Sequence, residues 1–193
     1  DERRGFALEL LEKSRDLRAL AKLAEARAHV DGPGGLHAGL HLLDAQLRAH
    51  WDDLHPAPPD ERNARNARLR AFNPFRERRI ASGFDRMIVF DAGGFDRDIS
   101  LRQFYLATER HLVTKRRPPK DGEEFRDADS LKGLVEKAEA TPKVAAMKAA
   151  IDGSASLLRG LQTFFAEKPG YERLRFDQLA QELDVYSAAL APF

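Results

Sequence analysis

From Leu36 onward the apolar positions fall at Leu40, Leu43, Leu47, Trp51 and Leu54. Steps of three and four put them on one face of a helix, which turns once in about 3.6 residues. The stretch before it repeats the pattern with Leu17, Leu20, Ala24 and Ala28, and Asp31-Gly32 follows as a stop. Pro33 and the glycines beside it separate the two helices, and so short a connection folds them back antiparallel. Pro56, Pro58 and Pro59 end the second helix.

Thr141-Pro142 predicts the start of a third long helix, with Thr141 as N-cap and proline at the first helical position. Its stripe is Val144, Met147, Ile151, Leu158, Leu161 and Phe165, interrupted at Ser154 and stopped by Pro169-Gly170. A last helix shows Phe176, Leu179, Leu183, Tyr186 and Leu190. A shorter one opens at Ser100, with Gln103 at capping-box spacing. The middle breaks the rhythm. Met87-Ile88-Val89-Phe90 is β-like, and Gly93-Gly94 with Phe95 follows at turn spacing. In residues 110–130, which read as a loop, Lys115, Arg116, Arg117 and Lys120 give way to Asp121, Glu123, Glu124 and Asp127, and Pro118-Pro119 stands at the change of sign. The expected fold is all-α: one domain over residues 1–193, an antiparallel bundle of about six to eight helices, with room for one short β-hairpin near residues 86–98.

Composition narrows the chemistry. At 193 residues, 42% hydrophobic and 33% charged, the chain is long enough to bury a core. Lys+Arg 32 against Asp+Glu 31 leaves a net charge of +1, so no global field gathers nucleic acid or an anionic membrane. No cysteine is present, which excludes disulfides and thiolate metal sites. No apolar run approaches the roughly 20 residues of a membrane span. A soluble protein of a reducing compartment is expected, and the first residue, Asp1, suggests a piece of a longer chain.

Candidate chemistry is sparse. His37 and His41 stand at i, i+4 and could share a metal. Zinc hydrolysis also needs a general base and a third ligand, whereas Ala38 follows His37 and nothing acidic lies between the pair. His50 and His55 flank Trp51-Asp52-Asp53, a His–carboxylate arrangement with no serine or cysteine nucleophile near it. His55 can instead cap helix carbonyls. Gly93-Gly94 lacks the lysine of a phosphate loop. The arginines of residues 60–80, with Phe72 and Phe75 among them, permit a nucleic-acid reading through phosphate neutralisation and stacking. No active site, metal or cofactor is expected.

One resemblance is specific. The run from Glu9 through Ser14-Arg15-Asp16-Leu17-Arg18, then Gly34-Gly35-Leu36, then Gly39-Leu40 and Leu42-Leu43, then Trp51-Asp52-Asp53-Leu54-His55-Pro56, is similar to the ImpA-related N-terminal domain of the TssA/ImpA family. Asn63 to Phe75 resembles that family's Arg-rich segment. Ile99-Ser100-Leu101-Arg102 resembles a later element, with Gln103 in place of its acidic residue. The match is clearest over residues 8–75. It implies a non-enzymatic scaffold in the bacterial cytoplasm, acting with baseplate, sheath or tube proteins as a type VI secretion tail is built, with no nucleic acid and no membrane insertion. Ring formation belongs to a C-terminal region of that family and is not carried over. The motif residues are Ser14, Asp16, Leu17, Gly35, Leu36, Leu40, Trp51, Asp52, His55 and Pro56, and Ser14 is placed to cap. The candidate contact surface is Arg65, Arg68, Arg76, Arg78 and Arg79.

Overall fold

Asp16 caps the first described helix: its carboxylate accepts the Arg18 backbone N–H at 2.8 Å. The computed structural model of the protein describes residues 15–56, 62–93 and 98–193, and Ser14 lies outside them. The helix, α1 (Leu17–His50), is two arms bent about Gly32, whose φ of 63° is cheap only for glycine. The arms double back closely. A Cβ on Gly39 would stand 2.6 Å from the Ala24 Cα, and one on Gly35 would stand 2.1 Å from the Arg27 carbonyl oxygen. The open end is tied as well, because the Leu17 N–H donates to the His55 carbonyl and the His55 N–H to the Arg15 carbonyl, each at 2.8 Å. Both expected stripes, from Leu17 to Ala28 and from Leu36 to Leu54, face inward and are buried.

A run of short elements follows: α2 (Arg62–Ala71), α3 (Asn73–Arg76), α4 (Arg79–Ser82) and a single 3-10 turn, Phe84–Arg86. The expected hairpin is present as β1 (Ile88–Asp91) and β2 (Asp98–Ser100), antiparallel with Phe90 opposite Ile99. Then come α5 (Leu101–Ala107), α6 (Arg110–Thr114), α7 (Ala128–Lys137), α8 (Thr141–Ala166) and α9 (Asp177–Leu190). That makes nine α-helices among the described residues, four of them seven residues or shorter. α8 lies beside the second arm of α1, with His37 against Gly153 and Trp51 against Phe164 and Phe165. α9 returns antiparallel to α8, with Gln162 reaching Asp177 and Arg159 reaching Asp184. One continuous apolar interior joins these helices to the hairpin, where Phe104 packs between Phe90 and Phe193.

Three local expectations shift. Ala140 rather than Thr141 precedes α8, because proline lacks an N–H and fits more than one first-turn position. Ser100 occupies the cap of α5 without a side-chain bond. Residues 110–130 are not all loop. α6 holds 110–114, and α7 begins where Asp127 accepts the Ser130 N–H at 2.7 Å, a cap hidden inside the acidic run.

Candidate interaction surface

The first arm of α1 carries Arg18, Lys22, Glu25 and His29 at steps of four, three and four, a polar stripe opposite its buried leucines. This stripe forms one wall of a groove of about 790 Å³ whose other wall is α2 to α4, with Arg70, Glu77 and Arg79 exposed along it. Ala67, Ala71, Pro74 and the buried Ile80 make an apolar floor. A second hollow of about 490 Å³, lined by Arg76, Arg175 and Asp177, shares Asn73 and Glu77 with the first. The two together run from His29 to Gln178.

The charges differ in how they are held. Arg18 pairs with Asp16, and Lys22 reaches Glu25 at 2.6 Å. Partial burial opposes ionisation of Asp16, but the bonds from the Arg18 side chain and backbone hold its carboxyl below the usual range. Arg70 and Arg79 have no ion-pair partner among the described residues.

The five arginines expected to share a surface do not. Arg68 is in the interior, 0% exposed. Its Nε donates to the Pro56 carbonyl at 2.8 Å, one Nη to the Trp51 carbonyl at 3.2 Å and the other to the Leu54 carbonyl. The guanidinium also lies over the Trp51 ring, 4.6 Å from its centroid. Trp51 directly follows α1 and Leu54 and Pro56 lie in the turn beyond it, so one cation gathers the carbonyls of the segment that leaves the helix, near its negative dipole end. Arg65 lies against Gly170. Arg78 is half-buried, and Arg76 and Arg79 line the two hollows. Arg70, Arg18 and Lys22, absent from the expected set, complete the walls. The spacing of the α1 stripe is the signal that finds two of them.

Most of the other motif residues that the structure describes lie in the interior or where the arms meet. Leu17, Leu36, Leu40 and Trp51 are buried, Gly35 sits at the close crossing of the arms, and His55 bridges them by its backbone. Asp52 is exposed, and Pro56 offers its carbonyl to Arg68. Trp51 meets Phe164, Phe165 and Tyr171 edge-on at 5.1 to 5.9 Å. Phe72 and Phe75 are 0% exposed, which takes away the surface stacking that a nucleic-acid interface needs. His37 packs on Gly153 and His41 points outward, their ring centroids 6.5 Å apart. Among the described residues, no three His, Asp or Glu side chains gather as a metal site.

The basic run before Pro118 contains a feature that charge patterning concealed. Arg117 turns inward to Asp85 at 3.0 Å and also binds Glu182 and Tyr186, with its guanidinium stacked on Tyr105 and Tyr186. Arg102 joins the cluster through Glu123 and Asp85. Burial and the neighbouring Asp85 push the Tyr186 phenol well above its ordinary range. These bonds hold Arg117 at a φ of 45°, a left-handed backbone that a side chain rarely adopts unless its surroundings dictate it.

The protein is a helical bundle with a charged groove and with arginines drawn into its interior. Its structure is similar to the N-terminal domain, including the conserved ImpA_N region, of the TssA component of the type VI secretion system from Burkholderia cenocepacia. The TM-score is 0.57 at 19% identity, over 92% of this chain and 70% of that one, a likeness of fold. Residues 3–76 match the family model for the N-terminal region of ImpA, type VI secretion system. Over residues 3–76 the chain is thus similar in sequence to the N-terminal region of ImpA, and over most of its length similar in fold to a domain that contains that region. No curated protein sequence matches it. No helix among the described residues is long and apolar enough to cross a membrane.

Proposed function

We propose that this chain is a non-enzymatic scaffold domain of a type VI secretion apparatus, working in the bacterial cytoplasm through contacts with baseplate or sheath proteins. The observation that carries the reading is one of position. All of the residues lining the main groove except Glu77, Arg79 and Ile80 fall inside residues 3–76, the region that matches the family. The groove mixes cations, carboxylates and an apolar floor, the composition of a protein-contact surface. The continuous interior supports treating residues 1–193 as one domain.

Purified chain should recover baseplate or sheath proteins from lysate of its own organism, and Arg76→Glu/Arg79→Glu should weaken that recovery while leaving circular dichroism unchanged. Both side chains are exposed, so the fold tolerates the change. Recovery of no secretion component, together with a DNA shift that persists at about 200 mM salt, would overturn the reading.

A further inference from the structure

We propose that the groove between the first arm of α1 and α2–α4 docks an acidic segment of a partner protein that carries apolar residues between its carboxylates. This deepens the scaffold reading, on which it rests only in taking the partner to be a protein. Arg70 and Arg79 are exposed cations on one wall with no ion-pair partner among the described residues, so a carboxylate placed between them meets charge that nothing else has neutralised. Ala71, Pro74 and Ile80 lie between them at the floor, where an apolar side chain would leave water.

The charge balance selects the same partner. Six Lys and Arg side chains line the two joined hollows against Glu25, Glu77 and Asp177, an excess of three positive charges on a chain whose total is +1. Half of the chemistry is thus attraction for an acidic ligand. The three carboxylates would repel a continuous row of phosphates, and no Phe, Tyr or Trp lines either hollow, which leaves the small ring of His29 as the one surface there that could stack a base. A peptide has no such difficulty: its acidic side chains are separated by others that can face Glu77 or the floor. The joined length from His29 to Gln178 accommodates a segment rather than a single side chain.

The probe is a fluorescein-labelled peptide of glutamates with leucine at every third or fourth position, followed by anisotropy. Poly-glutamate and single-stranded DNA of matched charge are the comparators. Arg70→Glu/Arg79→Glu should weaken binding of the glutamate–leucine peptide by about tenfold or more, and Arg70→Ala/Arg79→Ala by less. Arg173→Glu/Lys137→Glu makes the same change of net charge outside the groove and should alter binding by no more than about twofold. Poly-glutamate should bind more weakly than the leucine-bearing peptide. Absence of peptide binding, equal losses in groove and control variants, or DNA binding tighter than the peptide and lost with Arg70 and Arg79 would each overturn the proposal. Recovery of secretion proteins that ignores the groove variants sinks the docking inference and leaves the scaffold standing. Groove-dependent peptide binding with no secretion protein recovered sinks the scaffold alone.

Discussion

Replacing Arg68 by methionine should destabilise the protein by about 3–5 kcal/mol, on the scale of breaking a buried pair by removing one partner. Three carbonyls, those of Trp51, Leu54 and Pro56, lose their donor at once. Each hydrogen bond from a charged group contributes about 1.5–3 kcal/mol net, but the three share one guanidinium and do not add. A competing effect runs the other way, since exchanging a buried charge for an apolar side chain also removes its desolvation cost. That gain wins when both partners are replaced. Here the acceptors are backbone and stay behind, unpaired, at the dipole end of α1. For a chain of this size each kcal/mol moves Tm by about 2–4 °C, so Arg68→Met should melt about 10 °C lower. Arg68→Lys keeps the charge but cannot reach all three carbonyls in one plane, and should fall between. Far-ultraviolet circular dichroism follows the helices, while emission from Trp51, the single tryptophan, reports the stacked guanidinium directly. An Arg68→Met protein that melts within about 2 °C of the parent would refute the reasoning, because exposed substitutions alone reach that size.

Gly39→Ala should cost about 1–3 kcal/mol in a thermal melt, since its methyl would stand 2.8 Å from that of Ala24 and the arms must part; an unchanged Tm would show the crossing to be loose. Glu123 is held at a pKa of about 2 against an ordinary 4.5, first by the Arg102 side chain. Its contribution is therefore complete above pH 4.5 and disappears as pH falls toward 2. The pair is partly exposed, so the contribution is about 1 kcal/mol or less. The stability gap between the parent and Glu123→Gln in urea titrations should stay level in neutral solution and close in acid, and a gap that widens in acid would contradict the assignment.

The long helices and the faces they bury follow from the order of residues alone. α1, α8 and α9 carry apolar residues at a single period, and any arrangement that excludes water must turn those faces inward. The bend at Gly32, the hairpin and the anchoring of Trp51 were legible for the same local reasons. The fate of the arginines was not. α2 reads Arg62-Asn63-Ala64-Arg65-Asn66-Ala67-Arg68-Leu69-Arg70, with no apolar stripe to say which side is inside. Arg68 and Arg70 are alike to every local rule. One meets the open carbonyls at the exit of α1 and is enclosed, and the other, about 200° around the helix, faces the groove. Arg117 likewise sits in a run that reads as solvated charge, and only the approach of Asp85 and Glu182, from distant parts of the chain, draws it in. A charged side chain is buried where partners converge on it, and that convergence is a property of the tertiary arrangement rather than of the residue or its neighbours in sequence.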